Sequence, residues 1–295
     1  MPSEIPACTV PVRMAGWLGG AGGILPTVLK PCAREVPPLP PEARFRLDGR
    51  VAWLPGGAGG IGATLARAFA SAGAAVVISS RGAERCEALA ASIRAGGGDA
   101  LAAAGDMTVA ADVATAAAAA DAAFGRLDIL VQCVGGNARH GAEAYPEDDW
   151  DRIIALNLKT TYLTCRAAAR AMIPRGYGRI LTISSVRSLL GIASGYSAYC
   201  AAKAAVNGLT RQLATEWARH GITVNALAPT FIRTAQVADL LGDPGFAAAL
   251  VARIPLGRVG EPEDLVGPAL LLCSDAAGFV TGQVLGIDGG LTACQ

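Results

Sequence analysis

The chain has 295 residues, 25 Lys and Arg against 24 Asp and Glu, and a hydrophobic share of 52% with 5% aromatics. That length and apolar content give ample material for one large core and exclude disorder for the bulk of the chain. The near-neutral balance lacks the clustered basic surplus of a nucleic-acid binder.

Residues 1–43 differ from the rest. They hold nine of the seventeen prolines, including Pro37, Pro38, Pro40 and Pro41, and show no sustained periodicity. The apolar run 14–29 is too short to span a membrane and is interrupted by five glycines and Pro26. This stretch is expected to be a disordered Pro/Gly-rich extension or the product of a start assigned too far upstream, and residues 44–295 one domain.

From Phe45 onward, apolar β-like runs alternate with Ala-rich helical stretches. Strands are expected at 51–54, 75–79, 100–103, 129–134, 179–184, 223–228 and 283–287. Helices are expected near 61–72, 83–95, 109–124, 148–172, 198–219 and 262–274. Strands separated by helices of ten or more residues imply βαβ units and a parallel sheet. Continuous apolar strands agree, since parallel strands are buried on both faces. The expected fold is α/β, a doubly wound seven-stranded parallel sheet of the Rossmann kind in a single domain.

The first strand runs into Pro55-Gly56-Gly57-Ala58-Gly59-Gly60-Ile61-Gly62 and then a helix. Glycines there allow a tight turn and let backbone approach a pyrophosphate, which the helix N-terminus attracts with free N–H groups. No Gly-Lys-Ser/Thr follows, so this is not a Walker loop. At the end of the second strand, Ser80 and Arg81 stand where an acidic residue would grip the ribose hydroxyls of NAD. A guanidinium there suits a 2′-phosphate and favours NADP, with NAD the alternative. Asp106, after the third strand, is a candidate for the adenine amino group, for the N-cap of the helix beginning near Thr108, or for both.

Tyr199-Cys200-Ala201-Ala202-Lys203 lies inside a helical stretch, so phenol and ammonium share one face. Lys203 is one of only three lysines against twenty-two arginines, and a compact ammonium beside a phenol would lower its pKa toward the working pH. Ser184 and Ser185 end the fifth strand at the carboxyl edge of the sheet, where open α/β sheets bind ligands. Asn157 is a lone amide in an apolar helix, unfavourable there without a partner. The eight cysteines form no Cys-x-x-Cys pair, as for reduced thiols in a cytoplasmic protein. His140 and His220 alone give little material for a zinc site or a Ser-His-Asp triad, and both read as loop or helix-end residues, so no metal is expected.

Together these stretches resemble the short-chain dehydrogenase/reductase family, over some 250 residues from Phe45 onward. The matching motifs are Gly56-x-x-x-Gly60-Ile61-Gly62, Asn157, Ser184-Ser185, Tyr199-x-x-x-Lys203, the run Val224-Asn225-Ala226-Leu227-Ala228-Pro229, and Asp288-Gly289-Gly290. The resemblance implies hydride transfer between a nicotinamide and a secondary alcohol or ketone. In it Tyr199 is the acid/base, Lys203 holds the nicotinamide ribose, Ser185 orients the substrate oxygen and Asn157 supports a proton-relaying water. The loop glycines, Asp106, Met107 and Gly135 would hold the dinucleotide, with Pro229, Ile232 and Thr234 along the nicotinamide. Residues 231–257 would cover the substrate, and a homotetramer would form through the helices at 148–172 and 198–219 and the last strand.

Three departures from the family pattern stand out. Pro55 replaces a usual Thr, and Gln132-Cys133-Val134-Gly135 replaces a usual Asn-Asn-Ala-Gly. In the family the Thr hydroxyl bonds the second segment, so losing both sides leaves no single orphaned partner, but the geometry of the cofactor loop is put in question. Ser185 also precedes Tyr199 by one residue more than is common, leaving Ser184 or Ser188 as substitutes. The stretch 254–264 resembles relatives acting on sugar acids and polyols, such as gluconate 5-dehydrogenases, and also 3-oxoacyl carrier-protein reductases. A sugar acid or polyol is the expected substrate, with 3-oxoacyl reduction or a non-catalytic dinucleotide sensor as alternatives. Arg187 either faces a substrate carboxylate or, as base rates for Arg favour, sits in a surface loop.

Overall fold

The computed structural model describes residues 40–294. The extension expected over 1–43 lies, apart from its last four residues, outside the described residues. From Pro41 to Phe45 the chain already makes a 3-10 turn.

Seven strands form one sheet: β1 (Val51–Pro55), β2 (Ala75–Ser79), β3 (Ala100–Ala102), β4 (Ile129–Gln132), β5 (Gly178–Ile183), β6 (Ile222–Pro229) and β7 (Val284–Ile287). Their spatial order is β3-β2-β1-β4-β5-β6-β7, and every pairing is parallel. The expected doubly wound sheet is therefore the observed one. The order reverses between β1 and β4, and the crevice at the carboxyl ends of these strands is the place where such sheets bind ligands.

Successive strand residues point to opposite faces, which sorts the core into two layers. Ala52, Leu54, Val76 and Ile78 pack with α1 (Gly60–Ser71), α2 (Ala83–Ala95) and residues near the C-terminus. Val51, Trp53, Val77 and Leu130 pack on the other face with α3 (Ala110–Phe124). Trp53 is fully buried, and its indole N–H donates to Ser79 Oγ at 2.9 Å, so the buried ring leaves no unpaired donor.

The helix expected at 148–172 is present but not uniform. It consists of α4 (Glu147–Ile154), one π-helical turn over Ala155–Lys159, and α5 (Thr160–Met172). The helix expected at 198–219 is α6 (Ser197–Trp217) followed by a 3-10 turn. Within 231–257 two helices appear that periodicity did not reveal, α7 (Ala238–Leu241) and α8 (Pro244–Val251). The start of α8 is nonetheless written locally: Asp243 Oδ1 accepts from the Gly245 and Phe246 amides, and Pro244 takes the first helical position. Leu250, Ile254 and Val259 give this segment a small apolar cluster of its own, with Phe231 and Phe246 packed against it. The last helix, α9 (Val266–Cys273), is preceded by a 3-10 turn over Pro262–Leu265.

Candidate active site

The loop after β1 closes without the Thr hydroxyl that Pro55 lacks. Gly56 N donates to Ser79 O at 2.7 Å, and Cys133 N donates to Pro55 O at 2.8 Å, so backbone joins the two segments. As the last residue of β1, Pro55 gives up one ladder donor at the strand end, where the loss is smallest. Gly56 has φ +78°, and a Cβ there would fall 2.7 Å from Cys133 C and Val134 N. Only glycine allows this approach. The question raised by the two departures is answered by Gln132, which is buried. Its Oε1 accepts from Val134 N at 2.7 Å, and its Nε2 donates to Thr161 Oγ1 at 3.3 Å.

The helix α1 starts at Gly60, directly after this loop, with Ile61 bordering the cavity that Tyr199 and Lys203 also line and Gly62 packed against Gly56. A Cβ on Gly60 would lie 3.2 Å from Thr234 Cγ2, so Thr234 stands over the helix N-terminus. At the end of β2, Ser80 Oγ meets Cys86 Sγ at 3.0 Å, while Arg81 is exposed. Asp106 does not cap α3, whose first residue is Ala110. Its Oδ1 instead accepts from Thr108 N at 2.9 Å and Thr108 Oγ1 at 2.8 Å, closing a turn before the helix and lowering the carboxyl pKa. Met107 is buried in the α3-side core, which leaves its backbone, not its side chain, for any ligand.

The π turn explains Asn157. Its Nδ2 donates to Ile153 O at 2.9 Å and to Gly136 O at 2.8 Å, and Thr161 Oγ1 donates to the Asn157 carbonyl at 2.6 Å. The amide thus ties a helix to the loop after β4 at a π bulge, a feature frequent at functional sites. Gly135 lies between functional groups. A Cβ there would be 3.0 Å from Asn157 Oδ1 and 3.4 Å from Lys203 Nζ.

Tyr199, Lys203, Ser185 and Gly135 line one cavity of about 410 Å³ at the carboxyl edge of the sheet, together with Pro229, Ile232 and Thr234. The three candidate serines divide clearly. Ser184 Oγ donates to Asn207 Oδ1 at 2.6 Å, and Ser188 Oγ accepts from Asn207 Nδ2 at 2.8 Å, so both are committed to α6. Ser185 Oγ, which accepts from Arg187 N at 3.1 Å, faces the Tyr199 phenol.

The electrostatics correct one expectation. Burial pushes the Tyr199 phenol up to about 12, and Ser185 pulls back against this. Lys203 Nζ donates to Ile183 O at 2.7 Å and stands 5.6 Å from the phenol ring centroid. Burial brings Lys203 itself down to about 8. Desolvation outweighs attraction here because both groups are taken out of water. Cys133, also at the cavity, is pushed up to about 12 by burial and is therefore a poor nucleophile.

Arg187 corrects a second expectation. It is not a surface-loop residue but 5% exposed, and it lines the cavity. His140 and His220 lie outside this cavity. His140 Nε2 is 2.6 Å from Asp149 Oδ2, and His220 accepts from Arg219.

A family model described as enoyl-(acyl carrier protein) reductase matches residues 56–292. The chain belongs to the short-chain dehydrogenase/reductase family. It is 40% identical over 248 residues to gluconate 5-dehydrogenase of Gluconobacter oxydans, covering 84% of this chain and 96% of that protein. It is likewise 40% identical over 251 residues to D-threitol dehydrogenase of Mycolicibacterium smegmatis, covering 84% and 95%. Among solved structures, the gluconate 5-dehydrogenase of Burkholderia cenocepacia in complex with NADP and tartrate superposes with a TM-score of 0.83 at 41% identity, covering 86% of this chain and 99% of that one. The family is one of oxidoreductases acting on CH–OH groups.

Proposed function

We propose that the protein is an NADP(H)-dependent oxidoreductase interconverting a secondary alcohol and a ketone on a sugar acid or polyol. The observation that carries this reading is the convergence of Tyr199, Ser185 and Lys203 on one cavity beside a glycine loop that backbone can approach closely. The cradle fits a dinucleotide: a Cβ at Gly56, Gly62 or Gly135 would crowd neighbouring atoms, and α1 offers its N-terminal amides to the phosphates. When bound, the nicotinamide supplies or accepts the hydride.

The protein's own residues do the rest. Ser185 holds the reacting oxygen, and Tyr199 donates a proton to it in reduction or removes one in oxidation. Lys203 binds the nicotinamide ribose, and Asn157 with the Gly136 carbonyl holds a water that carries the proton onward. Arg81, exposed at the end of β2, reads the 2′-phosphate. The gluconate and threitol relatives support a polyhydroxylated substrate. The presence of Ser185, Tyr199, Lys203 and Asn157 together argues against a non-catalytic dinucleotide sensor, which has no need of all four. We also assign a homotetramer, through α4–α5, α6 and β7, whose Leu285 is exposed, and a cytoplasmic location. Among the described residues no helix is long and apolar enough to cross a membrane.

The test combines Tyr199→Phe with cofactor titration. NADP⁺ at a hundred times its Kd stabilises a protein by about 2.7 kcal/mol, which reads as a raised unfolding midpoint. The variant keeps that shift and loses turnover of gluconate and threitol. Retained turnover would remove Tyr199 from its role.

A further inference from the structure

The Arg187 guanidinium is an unfinished arrangement. It sits in the 3-10 turn Val186–Ser188, immediately after Ser185, at 5% exposure. Nη1 donates to Gly191 O at 3.1 Å, but Nη2 is buried with no hydrogen-bond partner. Arg187 takes part in none of the ion pairs among the described residues. A buried cation without an anion is costly, because its lost hydration is not replaced. The charge of Arg253, at the end of the covering segment, adds to that cost with the same sign.

The rest of the cavity leans the same way. Arg139, Arg187 and Lys203 line it against a single acid, Asp239, while the unpartnered Asn137 Oδ1, an acceptor, and Thr230 Oγ1 suit hydroxyl groups rather than an anion. The missing group is therefore an anion, and it belongs to a molecule that enters the cavity.

We propose that Arg187 binds a carboxylate of the substrate, at the end remote from the carbon that reacts at Tyr199, and so selects a hydroxy acid over the neutral polyol of the same length. This deepens the oxidoreductase reading above and rests on it. By a turn of the guanidinium, Nη2 gains the acceptor it lacks, in a charge-assisted bond of the geometry that Arg offers to carboxylates. Asn137 and Thr230 then face the hydroxyls between the two ends. An interaction that removes an unpaired buried charge discriminates strongly, because a ligand without the carboxylate leaves the charge as it was.

The experiment compares D-gluconate with its neutral counterpart D-glucitol, both with NADP⁺, in the wild type and in Arg187→Gln. The wild type prefers gluconate. In the variant the ratio of kcat/KM for gluconate over glucitol falls about tenfold to a hundredfold, the scale of one charged hydrogen bond. An unchanged NADP⁺-induced rise in unfolding midpoint shows that the variant is folded. Equal losses on both substrates, or a wild type indifferent between them, overturn the proposal. If the wild type turns over neither compound, the sugar-acid and polyol reading has failed, and tartrate then tests Arg187 by binding alone. Tartrate raising the midpoint of the wild-type NADP⁺ complex but not that of Arg187→Gln supports the carboxylate site. The same rise in both proteins, or in neither, overturns it.

Discussion

Asn157 and Gly136 bond each other twice. Asn157 Nδ2 donates to the Gly136 carbonyl at 2.8 Å, and the Gly136 amide donates to Asn157 Oδ1 at 3.4 Å. One side chain thereby fixes the loop after β4, which brings Gly135 close to Lys203. Asn157→Ala leaves the Gly136 and Ile153 carbonyls unpaired and should cost about 1–3 kcal/mol of stability. Its unfolding midpoint should fall by several degrees, with turnover falling further than cofactor affinity. A variant with wild-type midpoint and turnover would sink the role given to this amide.

Gln132 has a comparable duty at the start of the same loop. In Gln132→Ala the Val134 amide loses its acceptor, and the contact with Thr161 is gone. We expect a loss of about 1–3 kcal/mol by denaturant titration, together with weaker NADP⁺ binding. Undiminished affinity for the cofactor would mean that the loop holds its shape through the Cys133–Pro55 backbone bond alone.

Gly56→Ala tests the close approach directly. Its Cβ would meet Cys133 and Val134 backbone at 2.7 Å, in a left-handed conformation that alanine resists. Backbone cannot yield as a flexible side chain can. Dinucleotide binding should be lost by titration calorimetry, with at least about 1–2 kcal/mol of destabilisation.

Arg81→Ser addresses cofactor choice. Removing an exposed guanidinium from a 2′-phosphate should weaken NADP⁺ about tenfold to a hundredfold while NAD⁺ affinity holds. Parallel loss for both dinucleotides would show that Arg81 does not distinguish them.

The buried ammonium makes stability depend on pH in a definite sense. Lys203 is held at about 8 in the folded protein against an ordinary 10.5. Between those values the unfolded chain binds more protons, so this residue's contribution to stability rises with pH. Tyr199, pushed from 10 to about 12, acts oppositely, but only above about pH 10. From pH 7.5 to 9.5 the wild type should therefore gain roughly 1–2 kcal/mol relative to Lys203→Met, read by urea titration. Parallel profiles for the two proteins would refute the assigned shift.

Much of this molecule was legible in its residues. The strands were readable because buried parallel strands are written as unbroken apolar runs, and β1, β2 and β4 begin where those runs begin. The residues proposed to react were readable because that chemistry restricts their identity and their i, i+4 spacing. What remained hidden depends on partners distant in sequence. Arg187 reads as a surface residue until the fold encloses it. The Lys203 side chain could not be assigned to Ile183 O before β5 was laid against α6. Asp106 lay close enough to α3 to suggest a cap, yet its oxygen closed on Thr108 three residues earlier than the helix ring requires. The covering helices were missed because their apolar residues are packed mainly with one another, although Asp243-Pro244 already marked where α8 starts.

That self-packed cover has a consequence for substitution. Leu250, Ile254 and Val259 form a cluster apart from the two layers that sandwich the sheet. The wall that this segment gives the cavity, through Phe231, Val237 and Leu240, is therefore a module with its own foundation. Substitutions at its cavity-facing residues therefore disturb the glycine loop, the phenol and the strands beneath less than substitutions in the sheet's own layers would.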